Sequence, residues 1–299
     1  MGIRSSIACL ALAGVALAAA PASTAHAEEW LWSRGDFDAR ERLKRHHGGI
    51  AAEHTTYAGD LGGAQALLQS PLVGFWYAIT EHFVMSADWG MAYYRENAGG
   101  DASRTFRFGN PMVSGYYVGR FGSLKLYAGL GVAAPAATLP DGPDPDTTLA
   151  ARAYMSALAT RGGWNSFLWI PEAASLVFPV RFESAGVRHL LLAADAAMGV
   201  PIFLDGRGAG LVFQTAGEVG YRSEHFSIGA RMQLFWWALD DRPFIGDDMA
   251  QMSLEPFLRV DFGRPFLHAR LTMNLDEPFG FSFDDGGIWG LHLGGGVEF

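Results

Sequence analysis

Three features are scarce in this chain, and each scarcity excludes a class of protein. Cys9 is the only cysteine among 299 residues, so the chain can form no internal disulfide. After residue 27, no uninterrupted apolar run approaches the ~18 residues that a membrane-spanning helix requires. Lys and Arg number 22 against 31 Asp and Glu, a net charge of −9, so nothing indicates a nucleic-acid partner.

The first 27 residues have the pattern of a secretory signal peptide. Arg4 precedes an apolar run over about residues 7–20, and Ala25-His26-Ala27 forms a small-x-small cleavage site. We therefore expect residues 1–27 to be removed, residues 28–47 to form a charged periplasmic segment, and residues 48–299 to form the folded domain. Because Cys9 lies in the signal peptide, the mature chain would have no thiolate for metal binding or catalysis.

Apolar and polar residues alternate with period two many times, above all after residue 72. Near the end of the chain, for example, Leu267, Ala269 and Leu271 share one strand face, while His268 and Arg270 share the other. This period predicts β-strands. A polar face that carries full charges would also suit a solvated soluble sheet, so the alternation alone leaves the class of protein open.

The lengths of the links between strands favour a membrane barrel. Twelve strands are predicted, at about residues 48–59, 71–80, 82–95, 104–119, 123–134, 172–184, 187–199, 210–222, 225–237, 250–262, 265–275 and 287–299. Brief links alternate with longer ones, which fall near residues 60–70, 96–103, 135–170, 199–209, 238–250 and 276–286. Short turns on one side and long loops on the other are typical of outer-membrane barrels, and an even strand number places both chain ends on the short-turn, periplasmic side.

Aromatic residues are predicted to form two belts. Those expected at the periplasmic strand ends are Phe83, Tyr221, Phe226, Phe262, Phe266 and Phe299, and those expected toward the outer ends are Trp89, Tyr93, Trp236 and Trp289. Aromatic rings favour the headgroup regions of a bilayer, so two belts with aliphatic residues between them indicate a membrane protein.

Taken together, the signal peptide, the strand pattern, the alternating links and a C-terminal strand that ends in Phe299 resemble a Gram-negative outer-membrane β-barrel over about residues 48–299. The resemblance implies an all-β, transmembrane, up-and-down antiparallel barrel of about 12 strands in the outer membrane. It also implies contacts with outer-membrane lipid and lipopolysaccharide, and an assembly signal read by the barrel-assembly machinery, formed by Trp289, Leu291, Leu293, Val297 and Phe299. The four residues 108–111, FGNP, are weakly similar to a motif of barrels of the hydrocarbon-uptake and phenol-degradation type.

Charged residues on the inward faces of the strands are the main functional candidates. The predicted lumen-lining set is Asp88, Arg107, Lys125, Arg181, Glu183, Asp195, Glu218, Arg222, Arg231, Glu255, Arg259, Asp261, His268, Arg270 and His292. A lumen wet enough to hydrate these charges would give passive passage or uptake of small solutes, which is the favoured function. Alternatively, opposite charges pair across the lumen and fill it, which would give a closed structural or surface-interaction barrel whose loops contact lipopolysaccharide or a partner.

The long link at residues 135–170 is predicted to contain a short helix over about residues 149–161. Two positions are open for it. It could fold into the mouth of the barrel as a constriction, or it could lie on the outer rim with Trp164, Phe167 and Trp169 at the headgroups. The rim position is preferred.

Catalysis and metal binding have little support in the sequence. An outer-membrane hydrolase needs a hydroxyl nucleophile beside a histidine base, and no such arrangement is recognisable. His82, Ser86 and Asp88 share a strand face, but the histidine is predicted at the periplasmic end. We predict no enzymatic activity, no metal site and no cofactor.

Overall fold

A computed structural model describes residues 47–61, 64–80, 82–140, 142, 145–184, 189–206, 208–223, 225–238, 250–282, 284 and 286–299. The predicted signal peptide and, except for His47, the predicted periplasmic segment lie outside these residues. Within the described part of the chain, no helix is long and apolar enough to cross a membrane.

The chain forms a closed antiparallel barrel of twelve strands with two additional short strands, which confirms the predicted fold class. The strands are β1 (Gly48–Leu61), β2 (Ala64–Thr80), β3 (Phe83–Ala98), β4 (Asp101–Phe108), β5 (Met112–Phe121), β6 (Leu124–Ala133), β7 (Ala173–Ser184), β8 (Leu190–Phe203), β9 (Gly208–Ala209), β10 (Leu211–Arg222), β11 (Phe226–Ala238), β12 (Ala250–Asp261), β13 (Pro265–Asn274) and β14 (Trp289–Glu298). Strands β4 and β9 extend the wall beside β3 and β8, respectively. The first and last strands pair, with Gly49 opposite Glu298, and this pairing closes the ring.

The two ends of the barrel differ in their connections. At one end, here called the terminal end, Gly48 and Phe299 exchange backbone hydrogen bonds of 3.0 and 3.1 Å. Links there are short, and Gly122 and Gly263 supply the positive φ angles of 61° and 88° that tight turns need. The opposite end, here called the loop end, carries the link of residues 134–172 between β6 and β7.

Two links predicted to be long are instead extensions of strands. Strands β1 and β2 run on to Leu61 and from Ala64, and β3 and β4 meet at Gly99-Gly100. These two glycines have φ angles of 65° and 102°, which is the backbone conformation of a two-residue hairpin turn. The prediction of loops at residues 60–70 and 96–103 was therefore wrong, because polar residues beyond the apolar belt continue as strand.

The strand predicted at residues 104–119 is interrupted. Residues 109–111 separate β4 from β5, and Pro111 has no backbone N–H to give to a strand ladder. The Asn110 backbone N–H donates to the carbonyl of Leu168, at 2.7 Å, rather than to a neighbouring strand. The break thus redirects hydrogen bonding from the wall into the barrel interior.

The outward faces are apolar, and the aromatic belts follow this face with one exception. Exposed rings at the terminal end include Phe83, Tyr221 and Phe262. Phe266, predicted in the same belt, is instead buried on the inner face, where the Arg259 guanidinium lies 3.7 Å from the centre of its ring. Even-numbered residues of β13 face inward, and Phe266 is one of them. Its position is therefore set by the period of two along the strand and not by its proximity to the end of the barrel.

Candidate functional site: a barrel interior closed by an inserted segment

The long link between β6 and β7 enters the barrel. It comprises helix α1 (Pro145–Ala159) and residues 160–170, which include a 3₁₀ turn at Ser166–Leu168; residues 145–170 are called the plug below. Every residue from 156 to 170 is buried, including Trp164, Phe167 and Trp169. The preferred rim position was therefore wrong: Phe167 and Trp169 pack with inward wall residues such as Leu72 and Tyr94 in one apolar cluster at the loop end.

Glycines on the inner wall leave room for the plug. A Cβ added at Gly90 would lie 2.5 Å from the Trp169 ring, and one at Gly199 would lie 2.0 Å from the Phe167 ring. At Gly290 a Cβ would lie 2.0 Å from the carbonyl oxygen of Thr160. The wall is thus shaped to the plug at three separate strands.

Side-chain amides of the wall satisfy the buried backbone of the plug. The Asn110 side chain donates to the carbonyls of Phe167 and Ile170, at 3.0 and 2.7 Å, and accepts from the Ala137 N–H at 2.8 Å. Gln214 donates to the carbonyl of Gly163 at 2.9 Å. Because a loop inside a barrel cannot rely on bulk water, such partners are what allow it to be buried.

Arg161 is the charged connection between the plug and the wall. Its guanidinium donates to Glu53 Oε1 at 2.9 Å and to Thr55 Oγ1 at 2.8 Å, both on β1. Both partners of the ion pair are almost fully buried. Next to it, His292 Nε2 lies 3.0 Å from the carbonyl oxygen of Thr160, so β14 and β1 together hold the tip of the plug.

The first turns of α1 lie nearer to solvent. Arg152 donates to Glu96 Oε2 of β3 at 2.6 Å, and about half of its side chain is exposed. This hydrogen bond raises the pKa of Arg152. Burial raises the pKa of Tyr154, so its neutral hydroxyl donates to the carbonyl of Phe108 at 3.0 Å and ties α1 to the strand break.

In the terminal-end half of the interior, side chains of the wall form an apolar cluster that includes Trp76, Tyr116 and Tyr127 and, beside it, sets of charges. In the Arg181 network, Arg181 Nη1 lies 3.1 Å from Asp195 and 3.2 Å from Glu218. Arg222 and Lys125 approach Glu183 at 3.3 and 3.6 Å. Arg231 completes the network, 3.3 Å from Asp195, and its guanidinium lies 4.0 Å above the Trp164 ring of the plug.

A second set of charges, the Glu53 network, lies on β1 and β12–β14. Glu53 forms ion pairs with Arg161 and Arg270, and Arg270 also approaches Glu255 at 3.2 Å. His268 Nε2 and His292 Nδ1 lie 3.0 and 3.2 Å from the Glu53 carboxylate. Nearer the terminal end, a third set joins Arg259 to Asp261 and, at 3.8 Å, to Glu298.

Cations and anions balance across the three sets. The Arg181 network holds four cations and three anions, the Glu53 network two of each, and the third set one cation and two anions. The plug supplies one of these seven cations, Arg161. With His268 and His292 left out of the count, the three sets hold equal numbers of cations and anions, which limits the cost of burying so many charges.

The structure places most of the predicted lumen-lining residues on the buried inner face. Thirteen of the fifteen are less than 10% exposed, while Arg107 and Asp261 are partly exposed. Thirteen of the fifteen belong to the three charge sets, whereas Asp88 and Arg107 lie on β3 and β4, outside the strands that carry these sets. Their role in lining a passage stays a prediction, and so does the assembly role of Trp289, Leu291, Leu293, Val297 and Phe299 in and after β14.

Sequence reasoning missed Glu53, Arg161, Glu298 and the amide anchors of the plug. Glu53 lies in the first strand, whose apolar face is too weak to show which residues point inward. For the plug, a usable signal was present: Trp164 to Ile170 is more aromatic and apolar than a solvated loop needs to be. Metal binding has no support in the described part of the chain, which contains no group of three or more potential ligands.

No family model and no curated protein sequence matches the chain. Among solved structures, it is similar to an outer-membrane channel from Pseudomonas putida F1, with a TM-score of 0.55 and 12% identity over 84% of this chain and 94% of that one. It is also similar to the KdgM and NanC porins, each with a TM-score of 0.50, at 8 and 9% identity over 84% of this chain and 99 and 100% of theirs. These similarities show the fold: the chain is a closed barrel of the Gram-negative outer-membrane type. The similarity of residues 108–111 to the hydrocarbon-uptake type stays weak.

Proposed function

We propose that the protein is a channel in the Gram-negative outer membrane for small polar solutes, and that the plug holds it closed at rest. The observation that carries the proposal is the division of the interior. Charged strand side chains line much of its terminal end, beside the apolar cluster of Trp76 and Tyr116, while a separate chain segment closes its loop end. The outward faces of the barrel are apolar, as a bilayer requires.

The construction of the closure supports a channel over a solid barrel. A barrel with a purely structural role can fill its interior with wall side chains, as small barrels do. Here Gly90, Gly199 and Gly290 instead remove wall side chains where the plug lies. A passage would open if the plug withdrew, because these positions would then have no side chains to close it.

The terminal-end half offers polar partners that the wall itself does not satisfy. Within the described residues, Arg181 Nη2, Glu218 Oε1 and Gln233 Oε1 are buried and have no hydrogen-bond partner. Buried polar atoms without protein partners are normally hydrated. The charged part of this half is therefore suited to water and small polar solutes, and the balance of charge gives little reason for strong ion selectivity.

The alternative function is a closed structural or surface-interaction barrel, and one observation favours it. All fifteen residues from 156 to 170 are buried, so withdrawal of the plug would expose a large apolar area. If the plug never leaves, function would reside on the loops, and lipopolysaccharide or a protein partner would be bound there.

Planar-bilayer recording of residues 28–299 separates the two functions. The intact protein, a variant lacking residues 145–165, and a control lacking residues 240–248 in a different long link would be compared. We expect brief or rare openings in the intact protein and the control, and steady conductance after removal of the plug. Silence in all three, with no solute flux into liposomes, would favour the closed barrel.

Cysteine labelling tests whether the plug moves in the intact barrel. Residues 28–299 contain no cysteine, so Ser166→Cys, at a fully buried position, would report withdrawal through its reaction with a water-soluble thiol reagent. Thr148→Cys, at an exposed position of α1, is the control and should react at once. We expect Ser166→Cys to react slowly, and about tenfold faster when Arg161→Gln removes the plug's ion pair; a rate unchanged by Arg161→Gln would contradict the role of that pair.

A further inference from the structure

The outer wall carries almost no charge, and the exceptions are grouped. Among outward-facing positions of the described strands, only Asp60, Arg95 and Arg104 bear a formal charge at neutral pH. All three lie at the loop end of β1–β4, where the wall extends furthest. Charged residues on the lipid face of a barrel are costly at mid-membrane and nearly free of cost at the interface, so this group marks the level of the headgroups.

The two arginines face each other across a strand pair. Arg95 of β3 is the register partner of Arg104 of β4. Like charges placed directly opposite each other destabilise an antiparallel pair, and the arrangement gains stability if an anion lies between them. Planar guanidinium groups bind phosphate oxygens in a bidentate manner.

Aromatic residues fix the height of the arginine pair. The next outward pair toward the terminal end is Tyr93 and Phe106, and Phe106 contacts the ring of Phe108, with 5.1 Å between the ring centres. Exposed aromatic rings mark the boundary between acyl chains and headgroups. Two residues further along a strand is about 7 Å, so the guanidinium groups reach the level of the headgroup phosphates.

A groove adjoins the arginine pair on the outer face. It has a volume of about 550 Å³, and Arg95 lines it together with Gln65, Asn97 and Asp60. On the side of these polar groups that faces the terminal end, the groove is lined by Leu67 and Ala58. Amide and carboxylate side chains bind the hydroxyl groups of sugars through hydrogen bonds, and the apolar floor continues into the lipid-facing wall.

We propose that this groove binds the phosphorylated sugar headgroup of an outer-leaflet glycolipid of the lipid A class. Arg95 and Arg104 hold a phosphate between them, and Gln65 and Asn97 contact sugar hydroxyls. The acyl chains lie along the wall past Tyr93 and Phe106. The proposal rests on the proposed location in the outer membrane with the loop end outward, but not on the channel function.

Native mass spectrometry of residues 28–299 in detergent tests the site. The probes are diphosphoryl lipid A, its dephosphorylated analogue and phosphatidylglycerol, and the variants are Arg95→Gln, Arg104→Gln and the double variant. We expect the protein to retain diphosphoryl lipid A in preference to both other lipids, with a loss of affinity of about tenfold for each arginine replaced. Arg264→Gln, an exposed arginine in a turn at the terminal end, is the control and should change nothing.

Two results would overturn the proposal. One is equal retention of diphosphoryl lipid A by the wild type and the double variant; the other is arginine-dependent retention of phosphatidylglycerol to the same extent, which would indicate any anionic lipid. Heat-modifiable migration in gels verifies that each variant is a folded barrel. Without lipid A the double variant should be at least as heat-stable as the wild type, because it removes a repulsion.

Discussion

The two halves of the barrel interior are filled in opposite ways. At the terminal end the filling consists of side chains of the wall itself: an apolar cluster that includes Trp76 and Tyr116 and, beside it, a large set of charges. Arg181, with carboxylates on β7, β8 and β10, is the centre of the charged set. At the loop end the filling is a separate segment, and it is mostly apolar, with Trp169 and Phe167 packed against wall glycines. One wall thus supports two kinds of core.

If the barrel opens as proposed, the difference indicates which part of the interior would move. Charges attached to the strands cannot leave without unfolding the barrel, and unpairing any one of them leaves another charge buried. The plug is held by apolar contact, a few amide hydrogen bonds and the Arg161–Glu53 pair. Its withdrawal breaks no strand pairing, so it is the half in which opening costs least.

The largest effect is expected from breaking the charged half at its centre. Arg181→Met should lower the free energy of unfolding by about 3–5 kcal/mol, because Asp195, Glu218 and Glu183 would remain buried without their shared cation. Urea unfolding of the barrel in lipid vesicles measures this loss. A loss below about 1 kcal/mol would mean that these carboxylates are hydrated and do not depend on Arg181.

Disrupting the apolar packing at the loop end should lower the unfolding free energy somewhat less, and it should also change the rate at which the plug is labelled. Trp169→Ala should lower the unfolding free energy by about 3 kcal/mol through the cavity that it leaves, and it should speed thiol labelling of Ser166→Cys. The matched control is Trp236→Ala, since Trp236 lies on the outward face, beside Phe213, and its loss should not alter labelling. Equal labelling rates in Trp169→Ala and Trp236→Ala would contradict the role of Trp169 in holding the plug against the wall.

Adding one methyl group at a wall glycine tests the difference between the inner and outer faces of the wall. Gly199→Ala should cost about 1–3 kcal/mol through overpacking, because the new Cβ would meet the Phe167 ring at 2.0 Å. Gly217→Ala is the control: its Cβ would meet nothing within 4 Å, and we expect no loss of stability. Thermal unfolding of both variants checks the pair, and a tolerant Gly199 would show that the plug adjusts easily.

The smallest effect is expected where the plug meets solvent. Arg152 and Glu96 form a close ion pair, with 2.6 Å between Nη1 and Oε2, but the arginine side chain is 49% exposed. Arg152→Gln should therefore lower the unfolding free energy by less than about 1 kcal/mol, and added salt should reduce the difference further. A loss as large as that of Arg181→Met would show that burial does not control the strength of these pairs.

Much of the fold was predictable because a membrane barrel repeats one local rule. Leu267, Ala269 and Leu271 had to face lipid if His268 and Arg270 faced inward, and the same period holds on every strong strand. Strand ends were harder to predict, because β1 to β4 continue into polar residues beyond the apolar belt at the loop end. The Gly99-Gly100 pair was the only local signal that a tight turn, and not a long loop, joins β3 to β4. Phe266 lies near a chain turn, which suggested a place in the outward-facing aromatic belt, although the period of two along β13 already pointed it inward.

The sequence by itself determined the barrel, its apolar outer face and its charged inner face, since period two and the lipid environment leave a strand no other choice. Only the tertiary structure decided how the interior is filled. The place of the plug depends on glycines from three distant strands, and the partners of Arg161 and Arg181 depend on which strands the ring brings together. Such contacts are absent from any local pattern, because they arise only when the ring closes around the segment that it contains.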